Sequence, residues 1–456
     1  MIRDRASIGS IVALTLFCLL FPAPAKSQGA GPAAAGGLES QLIVLTSFPE
    51  TMFSAFREAF EAAHPGTTLH FLNRKTSAAI TYIQESPTRQ VDVVWASAPD
   101  AFEVLKESGH LTPWSGSRED YPSEIAGYPL DDPDGFYYGF ALSGYGILWN
   151  SDYLNKHGLP TPKSWIDLLA PIYRGHIGVS APSRSGTMHI IVETFLQTYG
   201  WQQGWAHLLQ LSGNLATVTA RSFGVRDGVR AGRFGLGLAI DFFGLSLRAQ
   251  GHPVDFVYPP GTPLIPANIA IVTGAEHPKA AAAFLTFVRS VAGQELLFLP
   301  QISRLPASPS AYSKAPASHP HPFDNGLADG GLLFDSDLSR QRYHLVNALF
   351  DRLITFRLRT LTEAWERFHV LGKRVDTAER PDLQARLDEA RRLLTALPVT
   401  EAEALNPAFS GQFVRRQPGL SVPETQVAAE GAWEAFARKN HADAMALLDE
   451  ISEALR

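Results

Sequence analysis

Between residues 183 and 187 the chain sets three hydroxyl side chains, a glycine and an arginine in a row: Ser183, Arg184, Ser185, Gly186 and Thr187. The segment leaves a predicted strand at 176–180 and enters a predicted helix at 187–199. At such a junction backbone N–H groups, hydroxyl donors and one forked guanidinium can all face an anion. The positive end of the helix dipole adds to the attraction. The same residues also suit an ordinary helix start, with Ser183, Ser185 or Thr187 satisfying the first turn. Two further groups repeat the composition: Asn73, Arg74, Lys75, Thr76 and Ser77, and later Arg221 and Ser222. Single hydroxyls, Ser47 and Ser97, follow two more predicted strands. Asp241 follows a strand at 237–240, and can accept a hydrogen bond from a ligand hydroxyl or orient Arg221 or Arg184, because buried carboxylates are usually paired.

Other chemistries find less support. Tyr137 and Tyr138 invite a ferric-iron reading, but their place in a passage between lobes favours aromatic packing. No G-x-S-x-G elbow, H-E-x-x-H pair or G-x-x-x-x-G-K-[ST] loop occurs, so a hydrolase reading lacks a nucleophile and a base. His189 reads as a core or cleft-edge histidine. No catalytic residue, metal or cofactor is expected.

The elements that must position these residues alternate in type. Strands at 42–45, 68–72 and 91–96 are separated by helices, the first carrying Phe53, Phe56, Ala59 and Phe60 at helical spacing. This order predicts a parallel α/β sheet with right-handed crossovers. Residues 139–149 read as a chain passing between lobes, with Gly144 and Gly146 allowing close backbone approach. The alternation resumes with strands at 176–180, 215–219, 237–240 and 269–272 and a helix at 278–291. In open parallel sheets ligands bind beyond the carboxyl ends of the strands, which is where the hydroxyl- and arginine-rich segments fall. The expected organisation is a first lobe at 41–140, to which later chain returns, and a second lobe with crossover at 141–299. A linker at 300–331, dense in Pro, Ser, Ala and Gly, follows. A helical extension at 332–456 carries an apolar stripe through Val346, Leu349, Leu353, Trp365 and Phe368, to be packed on the lobes or on a partner.

At the N-terminus Arg3 and Arg5 precede an apolar run from Ile8 to Phe21 that ends in Pro22-Ala-Pro-Ala25. This predicts a secretory signal peptide at 1–25, since the run is shorter than the roughly 20 apolar residues a membrane span needs. A Gly/Ala-rich lead-in at 26–40 is expected to be flexible. The only cysteine, Cys18, lies in the apolar run; bulky Leu16 and Phe17 before it argue against lipidation. The formal charge is -6, and nothing in that balance points to a nucleic-acid or anionic-membrane partner.

Several of these segments together resemble the phosphoglycerate transport regulatory protein family, a branch of the bacterial extracellular solute-binding proteins that also include ferric-iron and sugar-phosphate binders. The resemblance rests on Ser180 to His189, Gly200-Trp-Gln-Gln-Gly-Trp205, Leu211-Ser-Gly-Asn-Leu215 and Ala220-Arg-Ser-Phe-Gly-Val225. Leu72-Asn-Arg-Lys-Thr-Ser77, Ala239-Ile-Asp241, Leu353-Ile-Thr-Phe-Arg-Leu358 and Ala364-Trp365 extend it. It implies a two-lobed periplasmic binding protein fold, type II-like, with a helical C-terminal extension. It implies a small phosphorylated organic anion as ligand, periplasmic localisation, and an inner-membrane transporter permease or sensor kinase as partner. Gly186, Met188 and Lys75 depart from the family pattern, which leaves the identity of the ligand open.

Overall fold

The computed structural model describes residues 37–456, apart from 87–89, 98, 117, 126, 325–326, 328–331 and 415–420. The expected signal peptide, with Cys18, and most of the lead-in lie outside the described residues.

Short runs of Val, Ile, Leu and Phe form the first lobe's strands β1 (Gln41–Thr46), β2 (Thr68–Asn73) and β3 (Val93–Ala96). They pair in parallel in the order β2-β1-β3. Short β4 (Leu111–Thr112) and a hairpin of β5 (Glu124–Ile125) and β6 (Tyr128–Pro129) follow. Then comes β7 (Tyr138–Asn150), thirteen residues long. The second lobe is built on β8 (Ile177–Ser180), β9 (Leu215–Thr219), β10 (Leu236–Ile240) and β11 (Val254–Val257). The chain returns to the first lobe through β12 (Leu264–Val272), and β13 (Leu305–Pro306) adds a last short strand.

The register explains why there are two lobes. The first half of β7 pairs with β12, and its second half pairs with β10 and β11. β7 therefore passes from one lobe into the other, and β12 pairs with β7, β3 and β4. This passage needs glycine. A Cβ on Gly146 would sit 2.1 Å from the Val257 carbonyl oxygen, and one on Gly144 2.5 Å from the Tyr258 ring. Gly146→Ala is therefore expected to cost about 1–3 kcal/mol by forcing the strands apart. A urea midpoint equal to that of the native protein would refute the close-approach argument.

The stretch expected as a linker differs from its composition. Ile302 to Ser308 is buried, and Leu305 and Pro306 pair with Leu142 and Ala141 in the middle of β7. Proline's missing N–H matters little in a two-residue edge strand, and Ala307 N–H donates to Phe140 O instead.

The first lobe has a core on each face of its sheet. One gathers Phe48, Phe56, Trp95, Phe140 and Phe284, and the other Leu45, Val94, Phe102 and Tyr137. The second lobe shares one core with the extension, in which Ile191, Phe195, Trp205, Leu349, Trp365 and Leu448 belong to a single cluster. The extension's helices Tyr343–Leu353 and Leu358–Thr377, which carry the apolar stripe, pack against the second lobe, and Pro381–Leu394 and Glu424–Ala454 pack on them.

Buried polar contacts help to fix the join. Arg342 Nε and Nη2 donate to the two oxygens of Glu193 at 3.0 and 2.7 Å, with both side chains buried. The ring nitrogens of His189 lie 2.9 Å from Asn347 Oδ1 and 3.0 Å from Ser339 Oγ. Burial lowers the pKa of that imidazole. His189 is accordingly a core residue.

Candidate functional site

Strand register places the carboxyl edges of both lobes around one crevice. In the first lobe β3 ends at Ala96, level with Asn268 of β12 and, through it, Gly139 of β7. In the second lobe β10 ends at Ile240, level with Tyr145 of β7. β3 and β10 run in opposite senses, so both carboxyl ends point toward the part of β7 between those levels. Six residues of strand span roughly 20 Å at about 3.3 Å each. The neighbours end together: Thr46 is level with Asn73 and Trp95, and Ser180 with Thr219.

The residues singled out in the sequence line these edges. Ser47 and Ser97 are half-buried after β1 and β3, and Thr76 is half-buried in the first turn of helix Thr76–Glu85, of which Ser77 is the second residue. Asn73 Nδ2 donates to Phe48 O at 2.6 Å, which ties two edge loops together. Arg74 is exposed, its guanidinium 4.6 Å from the Tyr82 ring centroid. Across the crevice Ser183 and Thr187 are half-buried and Arg184 is exposed. Ser185 is buried and accepts from Met188 N–H at 3.2 Å, so its hydroxyl serves as the N-cap of helix Gly186–Tyr199. Arg221 is exposed and Ser222 opens helix Ser222–Arg230. Among the described residues no carboxylate pairs with Arg74, Arg184 or Arg221.

Asp241 takes neither role foreseen for it with the arginines. It is fully buried, and its Oδ2 accepts from Gly144 N–H at 2.7 Å and Tyr258 OH at 3.2 Å, while Oδ1 accepts from Phe242 N–H. These bonds brace the end of β10 against β7. Burial pushes its carboxyl up to about 7, against the opposing pull of its donors and of Arg304.

Sequence reasoning missed the crevice floor. Ser143 Oγ, Ser180 Oγ, both amide atoms of Asn268 and Arg304 Nη1 are buried and make no hydrogen bond among the described residues. Buried polar atoms are nearly always paired, so a group of such atoms around one crevice is unusual. A lone Ser or Asn inside an otherwise apolar strand was the available signal; Arg304 had none, lying in Pro-rich sequence.

Tyr137 and Tyr138 point away from one another. Tyr137 OH donates to Glu103 and Tyr138 OH to Trp114 O, in the separate cores on the two faces of the first lobe. They cannot meet at one ion. A surface hollow of about 520 Å³, lined by Arg174, Gly213, Leu215 and Glu366 among others, lies at the amino end of β9, the opposite edge from the crevice.

Two α/β lobes joined by through-running strands, with a polar crevice at their facing carboxyl edges, define a two-lobed periplasmic binding protein fold, here with a helical C-terminal extension. A family model described as bacterial extracellular solute-binding protein matches residues 90–324, just over half of the chain. The chain is 30% identical over 377 residues to the phosphoglycerate transport regulatory protein PgtC of Salmonella typhimurium, covering 82% of this chain and 89% of that one. Among solved structures it is similar to the periplasmic binding protein AfuA of Actinobacillus pleuropneumoniae, with fructose-6-phosphate bound, at a TM-score of 0.58 and 22% identity. That match covers 68% of this chain and 98% of AfuA. Iron-bound HitA of Pseudomonas aeruginosa matches at a TM-score of 0.51 and 17% identity, covering 59% of this chain and 86% of HitA. The chain belongs to the family of bacterial extracellular solute-binding proteins.

Proposed function

We propose that this protein is exported to the periplasm, where it captures a small phosphorylated organic anion, phosphoglycerate-like, between its lobes. The observation that carries the reading is the placement of Arg74 on one carboxyl edge and Arg184 and Arg221 on the facing edge, all exposed and none paired with a carboxylate among the described residues. Cations at opposed edges repel in the absence of an anion and are drawn together by one. A dianion between them favours the closed form by its stronger contacts there, with the interlobe passages of β7 and β12 acting as the hinge. Hydroxyls of Ser47, Thr76, Ser97, Ser183, Thr187 and Ser222 add neutral donors. The similarity to PgtC supports the phosphorylated ligand. An inner-membrane permease or a sensor kinase would read the closed form, and binding without turnover is the activity.

The test is a thermal-shift screen against 2- and 3-phosphoglycerate, phosphoenolpyruvate, sugar phosphates, inorganic phosphate and ferric citrate. A ligand at 100 times its Kd adds about 2.7 kcal/mol to stability. The expected result is a shift with phosphorylated acids that is lost in Arg184→Ala. Stabilisation by ferric citrate alone, or by none of the phosphorylated compounds, would overturn the reading.

A further inference from the structure

We propose that Arg304 is an oxyanion anchor in the crevice floor, a second contact separate from the arginines of the rim. The proposal rests on the reading that the crevice takes an anion, and adds which buried group meets it.

Arg304 is 4% exposed. The carbon of its guanidinium lies 4.8 Å from the centroid of the Phe48 ring and 4.0 Å from that of Phe242. Phe48 follows β1 and Phe242 follows β10, so each lobe contributes one ring. Rings against a guanidinium occupy its faces and leave the N–H groups at its edge. Nη1 makes no hydrogen bond among the described residues. Among the described residues no carboxylate lies within ion-pair distance of Arg304. The oxygens of Asp241 are engaged by Gly144, Phe242 and Tyr258.

A buried cation with an unused donor is costly to fold around, and the backbone holds it there through further strain. Ser303, just before it, has φ of 45°, one of two non-glycine residues with positive φ among those described. That left-handed turn is held by Ser303 N–H to Leu299 O at 2.9 Å and Ser303 Oγ to Pro300 O at 3.1 Å. Arg304 N–H donates to Leu297 O at 2.9 Å. Strain in a buried turn that delivers a guanidinium with an unused Nη1 is characteristic of binding sites.

The surroundings fit an oxyanion. Leu305 is level with Leu142, so Arg304 falls beside Ser143, whose hydroxyl is also unused among the described residues. Edge-on guanidinium donors match two oxygens of a carboxylate or phosphate. Because its guanidinium contacts a ring from each lobe, an anion held there binds where the lobes meet and favours closure.

The experiment is calorimetric titration of the full chain with 3-phosphoglycerate, glycerol 3-phosphate and inorganic phosphate, using the native protein, Arg304→Lys, Arg304→Met and Arg184→Ala. Arg304→Lys keeps the charge and loses the fork, so it is the variant that folds if Arg304→Met does not. The expected loss is about 100-fold in 3-phosphoglycerate affinity for either Arg304 variant, as for loss of a paired charge-assisted hydrogen bond. An equal loss with glycerol 3-phosphate assigns the anchor to phosphate; a loss with 3-phosphoglycerate alone assigns it to carboxylate. If both Arg304 variants bind like the native protein while Arg184→Ala does not, the anchor is refuted and the anion crevice stands. If the native protein binds none of the three, both fall.

Discussion

Glu193→Ala is expected to lower the unfolding free energy by about 3–5 kcal/mol, because it strands the Arg342 guanidinium in the interior. The pair is bidentate and buried on both sides. Gln197 Nε2 also reaches Glu193 at 3.2 Å, and the Arg342 guanidinium lies 5.3 Å from the Trp201 ring centroid. Removing the carboxylate therefore leaves a cation with two unused donors among aromatic and aliphatic groups. The converse change is milder: Glu193→Leu with Arg342→Met removes both charges, and is expected to fall near the native stability or above it. Urea denaturation followed by circular dichroism should show a lower midpoint for the single variant, with recovery in the double. A single variant within about 0.5 kcal/mol of the native protein, as for an ordinary surface site, would mean that the join does not depend on this pair. Helix Gly186–Tyr199 carries Glu193 and begins beside Arg184, so weakening the join also loosens the backbone that presents the rim arginine.

The edges of the crevice were legible because they follow from local pattern. Alternating strand and helix periodicity places Ser47, Arg74, Ser97, Arg184 and Arg221 after strands, and parallel pairing brings such positions to one edge whatever the rest of the fold does. Gly146 was legible for a similar reason, as a glycine inside an apolar strand. The floor was not. Arg304 sits in a stretch whose composition reads as linker, and its burial comes from pairing with β7 more than 150 residues earlier in the chain, which no local window contains. Ser143 lies in the stretch read only as a passage between lobes and Asn268 just before the strand expected at 269–272, and their significance appears only when no partner is found for them among the described residues. Ser185 went the other way: its hydroxyl matched both a cap and an anion donor, and the observed bond to Met188 N–H assigns it to the cap. The partners of Glu193 and His189 were likewise out of reach, although a carboxylate and an imidazole on an apolar helix implied that something had to meet them.

The stability of the native protein is expected to fall between about pH 4 and pH 7 relative to that of Asp241→Asn. The Asp241 carboxyl is held up to about 7 by burial, against roughly 3.9 in an unfolded chain. Within that window the folded protein keeps a proton that the unfolded chain releases, so raising the pH favours unfolding. The contribution is fully present below pH 4 and lost above pH 7, and three units correspond to roughly 4 kcal/mol. An asparagine at this position would lack one of the two acceptors that meet Gly144 and Phe242, so the variant is less stable overall at low pH; the informative quantity is the narrowing of the gap as pH rises. Urea midpoints at pH 4.5, 6 and 7.5 measure it, and parallel profiles for the two proteins would sink the assignment. Anion binding is linked in the same sense. Above pH 7 an ionised Asp241 partly cancels the field of Arg304, so affinity for 3-phosphoglycerate should weaken from pH 6 to pH 8 in the native protein relative to Asp241→Asn. The ligand's own phosphate titrates at about pH 6 in both proteins and cancels in that ratio. A ratio constant across the range would show that Asp241 braces the hinge without its charge reaching the ligand.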